Sequence, residues 1–145
     1  MKTLCVIPVF NEDTKLISLI NQIKTNEYKN YGLKYIFINN GSTDGSLEII
    51  KKSNIKFLNL KRNMGVGYAL ILGYFFAKKY NYDYIIHMAG NGKMNPQDID
   101  KFMKSLVFEK YDFISGSRFL EGSSKKNNPI YRLIFIKFFS FFISF

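Results

Sequence analysis

The feature that most constrains this chain is an alternation. Short runs rich in β-branched and aromatic residues, Leu4 to Val9, Tyr35 to Ile38, Ile55 to Leu60, Tyr84 to Met88 and Asp112 to Ser115, are separated by stretches long enough for a helix. The runs read as strands. In the first intervening stretch Leu16, Leu19, Ile20 and Ile23 recur at spacings of three and four, giving an amphipathic helix with one apolar face. A second helix is expected after Asp44-Gly45-Ser46, a third from Val66 to Lys79 and a fourth opening at Asn95-Pro96. There Asn serves as cap, Pro occupies the first helical position and Asp98 lies in the first turn. Strands separated by helices imply a mostly parallel sheet covered on both faces, because each parallel connection needs a crossover. Ligands of such sheets bind outside the carboxyl ends of the strands. Chemistry is therefore expected in the loops Phe10 to Asp13, Asn39 to Gly45, Lys61 to Gly67, Ala89 to Pro96 and Gly116 to Lys126.

The 145 residues suffice for one core, and an apolar content of 47% excludes disorder. Twenty-one Lys and Arg against eleven Asp and Glu give a net charge of +10, which favours a polyanionic partner such as a nucleotide diphosphate, nucleic acid or an anionic membrane. The cations are scattered, with no arginine-rich arm and no zinc-finger spacing, so nucleic acid is not expected. Cys5 lies in an apolar run without a second cysteine, which excludes an internal disulfide, fits a reducing compartment and marks it as a small core residue. Thr3 to Phe10 is short, contains Pro8 and runs into Asn11-Glu12-Asp13, which fits a buried strand rather than a targeting signal. The segment 129–145 is strongly apolar, with Arg132 and Lys137 as its cations. Shorter than the roughly 20 residues of a bilayer span, it is expected to form a helix facing a membrane surface or a partner, beyond a main domain of residues 1–128. A terminal core helix is the alternative.

Within the loops, Pro8 ends regular pairing and leaves the Glu12 carboxylate facing the crevice. Asn39-Asn40-Gly41-Ser42-Thr43-Asp44-Gly45 offers amide and hydroxyl groups that suit a ribose or base edge, and equally suit turn and cap chemistry. Gly65-x-Gly67 opens a helix after a strand, but Leu70 stands at the third glycine position, so the dinucleotide fingerprint fails.

Together CVIPVFNE at 5–12, INNGSTDGS at 38–46, RNMGVGYA at 62–69, HMAGNGKMNPQDI at 87–99, ISGSRF at 114–119 and PIYR at 129–132 resemble the family-2 glycosyltransferases of the GT-A fold. The branch most similar comprises the polyprenyl-phosphate and dolichyl-phosphate mannosyl- and glucosyltransferases. The resemblance implies a Rossmann-like nucleotide-binding sheet. It implies transfer of a sugar, with inversion, from a nucleotide-sugar donor to a polyprenyl phosphate or a cell-surface glycan precursor, in the cytoplasm at the inner membrane face. Carried over by position, Pro8, Phe10, Glu12, Asn39, Asn40, Gly90 and Asn91 bind the nucleotide sugar. Lys93 and Arg118 serve as catalytic cations, and Arg118 with Arg132 holds the acceptor phosphate, the planar guanidinium donating two hydrogen bonds to one phosphate.

The departures are as informative. The family's paired aspartates are here Asn39-Asn40, and its metal-holding Asp-x-Asp is Ala89-Gly90-Asn91. Alanine cannot coordinate, and an amide lacks the charge that Mg²⁺ or Mn²⁺ favours. The expectation is that no residue set holds the usual metal and that Lys93, Arg118 and Arg132 stabilise the departing diphosphate instead. No residue announces itself as a general base. His87, at the end of an apolar strand, reads as a core histidine. A phosphate acceptor, already ionised at neutral pH, needs little deprotonation and is therefore preferred to a sugar hydroxyl. Two alternatives stay open: a non-catalytic nucleotide-sugar-binding or regulatory domain that lost its acids, and an incomplete fragment of a transferase.

Overall fold

The computed structural model describes residues 1–25, 32–109 and 111–116, without the side chains of 107–109. The chain divides into two compact units, Met1–Lys110 and Tyr111–Phe145. Among the described residues of the first, four strands and four helices alternate: β1 (Thr3–Val9), α1 (Asp13–Thr25), β2 (Leu33–Asn40), α2 (Ser46–Lys52), β3 (Lys56–Leu60), α3 (Val66–Lys79), β4 (Tyr84–His87) and α4 (Ile99–Glu109). A single 3-10 turn, Pro96–Asp98, leads into α4, and the Asn95 side chain accepts the Gln97 N–H at its start.

The strands form one sheet in the order β3-β2-β1-β4 with every pair parallel. Alternate β1 residues serve opposite faces, as the period of a strand requires. Cys5, Ile7 and Val9 pack with Leu16, Leu19, Ile20 and Ile23 of α1, Ile50 of α2 and Ile99 and Met103 of α4. Leu4 and Val6, with Ile36 and Ile38 of β2, pack against Ala69 and Ala77 of α3. Helices thus cover both faces, and β1 reads as a nearly continuous apolar run because it is buried on each. Burial pushes the Cys5 thiol pKa far above its usual range, so it stays a protonated, inert core group.

Helix α3 sits on the sheet through small residues. Ala69, Gly73 and Ala77 recur every fourth position, and a Cβ built on Gly73 would lie 2.3 Å from Val6 Cγ1. That distance is far inside van der Waals contact, so glycine is required by the approach of helix to strand.

The fifth expected strand, Asp112–Ser115, is absent: residues 111–116 carry no regular structure. Local composition favours extension there, but a strand exists only when a ladder is available, and no partner pairs with it among the described residues. The expected apolar helix at 129–145 lies outside the described residues. Among those described, no helix is long and apolar enough to cross a membrane.

The α3 contact yields a direct test. In Gly73→Ala, overpacking against Val6 costs about 1–3 kcal/mol and the helix gains about 1 kcal/mol from alanine's propensity. A net loss of stability is expected, read as a lower urea midpoint with unchanged slope. Combined with Val6→Ala, the two changes should cost less than their sum, because the space removed by one is supplied by the other.

Candidate nucleotide-sugar site

The carboxyl ends of the strands carry loops that are fastened to one another by side chains. After β1, Asn11 adopts a left-handed conformation with φ 52°. Its N–H donates to Ser42 Oγ at 3.1 Å, and its Oδ1 accepts the Thr43 N–H at 2.8 Å. The Glu12 N–H donates to Ser46 Oγ at 2.9 Å. Asp44 completes the seam: Oδ2 accepts the Asp13 N–H at 3.1 Å and Oδ1 the Ser46 N–H at 2.9 Å, so one carboxylate serves the first turns of both α1 and α2. Desolvation pulls the Asp44 pKa upward, but the hydrogen bonds from Ser46, Asp13 and its own backbone prevail and hold it below the usual carboxylate value.

A second seam joins the loop after β2 to the loop after β3 through neutral amides. Asn39 Nδ2 donates to Asn59 Oδ1 at 2.6 Å, while Asn39 Oδ1 accepts the Ser42 N–H at 3.4 Å. Asn40 Nδ2 donates to Asn63 Oδ1 at 2.9 Å, and Asn40 Oδ1 accepts the Met64 N–H at 3.0 Å. Gly41, with φ +70°, passes so close to this loop that a Cβ would fall 2.3 Å from the Arg62 carbonyl carbon. A side chain at 41 would push the two loops apart.

These seams frame a cavity of about 260 Å³ lined by Pro8, Val9, Phe10, Glu12, Asn40, Val66, His87, Ala89, Gly90 and Asn91. Its position follows from topology. The chain leaves β1 toward β2 and β3, then returns across the sheet to β4, so a crevice opens between the ends of β1 and β4. Phe10, 41% exposed, offers a ring, and Glu12 offers a carboxylate whose Oε2 lies 3.6 Å from Lys15 Nζ. The Gly90 N–H donates to the Pro8 carbonyl at 3.2 Å, which carries the parallel pairing of β1 and β4 into the cavity wall.

The residues anticipated from sequence thus fall into three groups. Pro8, Phe10, Glu12, Asn40, Gly90 and Asn91 meet around the cavity. Asn39 does not line it; the residue is 1% exposed and its amide is spent on Asn59 and Ser42. Lys93 is exposed on the same loop as Asn91, whose Oδ1 accepts the Lys93 N–H at 3.1 Å, and its side chain is not part of the lining. Arg118 and Arg132 lie outside the described residues.

The expectation of a core histidine at 87 is corrected. His87 closes β4, the edge strand of the described sheet, and stands exposed in the cavity wall. Partial desolvation there lowers its pKa and favours the neutral imidazole. Alternation carried the signal: Met88 is buried with the core, so its neighbour 87 had to face the other way.

The donor set does not fit the hard divalent cation that the family's Asp-x-Asp holds. Ala89 has no donor atom, Asn91 Oδ1 is engaged with the Lys93 N–H, and no cluster of three His, Cys, Asp or Glu stands among the described residues.

The seam formed by Asp44 sets a pH dependence. Its folded pKa lies below its unfolded value, so its contribution is fully present above the unfolded value, near 3.8, and is lost as pH falls through the folded one. Asp44→Ala should therefore lower stability by about 1.5–3 kcal/mol at neutral pH, the range for hydrogen bonds to a charged group. The gap between variant and wild type should close in strong acid, as read by urea unfolding across a pH series.

Comparison with known proteins agrees with this geometry. The chain is 33% identical over 129 residues to an uncharacterized protein of Methanocaldococcus jannaschii, covering 89% of this chain and 51% of that protein. It is 25% identical over 142 residues to the UDP-N-acetylglucosamine–dolichyl-phosphate N-acetylglucosaminyltransferase of Methanococcus voltae, covering 86% and 55%. The chain thus spans about half the length of these relatives. In fold it is similar to Staphylococcus aureus TarS 1-349 in complex with UDP-GlcNAc, with a TM-score of 0.61 at 18% identity over 74% of this chain and 31% of that one. The Glycosyl transferase family 2 pattern matches residues 4–144, and the chain belongs to that family.

Proposed function

We propose that this chain carries the nucleotide-sugar half of a transferase that moves a sugar onto a polyprenyl phosphate at the cytoplasmic face of a membrane. The observation that carries this reading is the cavity at the β1–β4 switch point, where Pro8, Phe10, Glu12, Asn40 and Asn91 converge in a chain of this family. Phe10 and Pro8 present apolar surface to a nucleobase or ribose, and Glu12 presents carboxylate oxygens to their hydroxyl and amino groups.

In the reaction, an acceptor phosphate oxygen attacks the anomeric carbon of the donor sugar as the bond from that carbon to the diphosphate oxygen breaks. Attack from the opposite face inverts the configuration, and the electron pair leaves with the nucleoside diphosphate. Lys93, Arg118 and Arg132 are the cations assigned to that charge. In this reading they act by fixed electrostatic stabilisation, since the residues at 89–91 supply no carboxylate. The same missing carboxylates favour a second reading, a binding domain that holds a nucleotide sugar without turning it over.

Calorimetry with UDP-GlcNAc and GDP-mannose in the presence of a chelator tests the first step. Binding that survives metal removal is expected, with Lys93→Ala weaker by about tenfold or more, the loss typical of a charge-assisted hydrogen bond. Binding that requires added Mg²⁺ or Mn²⁺, or that is unchanged in Lys93→Ala, would remove the lysine from its assigned role. Transfer of labelled sugar to a polyprenyl phosphate in chelator then separates the two readings, since a binding domain gives none.

A further inference from the structure

Helix α3 is built inside out. Its sheet face is the small stripe Ala69, Gly73 and Ala77, so its bulky side chains point outward. Tyr68, Ile71 and Phe75 recur at spacings of three and four along the outer face, with exposures of 43%, 49% and 65%, and Tyr74 flanks them. An outward aliphatic and aromatic stripe of this kind marks a contact surface rather than ordinary scatter.

The charges around it select the contact. Residues 61–79 contain four cations, Lys61, Arg62, Lys78 and Lys79, and no carboxylate. Lys61 and Arg62 precede the helix, while Lys78 and Lys79 fall in its last turn and extend the outer stripe. Lys56 of β3 lies over the rings of Phe76 and Tyr80, and Lys2 over that of Tyr82, adding cations interleaved with aromatics at the same end. The carboxylate nearest in sequence, Asp83, accepts the Lys2 backbone N–H. An apolar and tyrosine-bearing helical face bounded by Lys61 and Arg62 at one end and by Lys78 and Lys79 at the other matches an anionic lipid surface, where rings enter the headgroup boundary and cations meet phosphates. A protein partner would be expected to meet carboxylates with these cations; lipid headgroups supply the same anions without a fixed register.

We propose that the outer face of α3, centred on Tyr68, Ile71 and Phe75, is a docking surface for an anionic membrane. The helix opens at Val66, which lines the cavity. Docking therefore brings the cavity mouth to the bilayer, where a lipid-linked acceptor would reside. The surface itself does not depend on the sugar-transfer reading.

The chain contains no tryptophan, so Phe75→Trp gives a single fluorescent reporter on the stripe. With vesicles of phosphatidylcholine containing about one-third phosphatidylglycerol, its emission should shift to the blue and be quenched by lipids brominated in the acyl chains. Phosphatidylcholine alone should give little of either. Ile71→Glu/Phe75→Glu, at exposed positions, should keep the wild-type circular dichroism and nucleotide-sugar affinity while cosedimenting about tenfold less with the anionic vesicles. Indole emission of the Phe75→Trp variant that stays unchanged while the protein sediments with vesicles would locate the lipid contact elsewhere in the chain and overturn the proposal. Lipid-free self-association abolished by Ile71→Glu/Phe75→Glu would assign the face to a second copy and overturn it equally. Because nucleotide-sugar affinity is measured in the same variants without lipid, failure here leaves the transferase reading standing, and the reverse.

Discussion

The structure depends on β1 being paired on both edges and buried on both faces. Its backbone is hydrogen-bonded in parallel to β2 and to β4, and Leu4, Cys5, Val6, Ile7 and Val9 are each nearly or fully inaccessible. A strand so enclosed allows no surface of its own except its end. Pro8 stays paired with β2, contrary to the expectation that it ends the pairing, so the chain turns out only after Val9, and whatever it carries there stands beside the end of β4. Placement of the cavity is in this sense a consequence of the order β3-β2-β1-β4 and of right-handed crossovers, before any cavity-lining side chain is considered.

Around that end the protein uses two kinds of fastening. Asp44 ties the first turns of α1 and α2 together through a carboxylate, and Asn39, Asn40, Asn59 and Asn63 tie the following loops through amides. Asn39 and Asn40 are almost wholly buried, and each donates to an exposed asparagine and accepts a backbone N–H, so both are satisfied without a counter-ion. The asparagines at 39 and 40, where the family has acids, are thereby intelligible as architecture. Both amides are engaged within these seams, and Asn40 differs from Asn39 in forming part of the cavity lining.

Much of this was legible in the sequence. Helix α3 has the bounds its composition suggested, and Asn95 and Pro96 open the turn into α4 as their chemistry requires. Four of the five loops expected to carry chemistry contribute to the cavity, while the fifth, 116–126, lies outside the described residues beyond Gly116. What escaped the reading required knowledge of partners. Asp112 to Ser115 has strand composition and no ladder. Asn39 and Asn40 are chemically identical neighbours on opposite faces of β2, and only Asn40 lines the cavity. His87 looked like a core residue because its neighbours are apolar. An edge strand, however, buries only what its covering helices reach, and α3 lays small residues rather than bulky ones against this sheet.

The amide seams have a consequence for how the molecule responds to its surroundings. Hydrogen bonds between neutral amides are not titrated and are little affected by dissolved ions, whereas attraction between a chain of charge +10 and an anionic ligand falls off over a screening length that shrinks as salt is added. The shape of the amide side of the cavity rim and the pull that fills the cavity therefore answer to different variables. In dilute solution and in brine the amide seam keeps one geometry, while ionic strength acts on the charged groups, the Asp44 carboxylate and the bound anion among them.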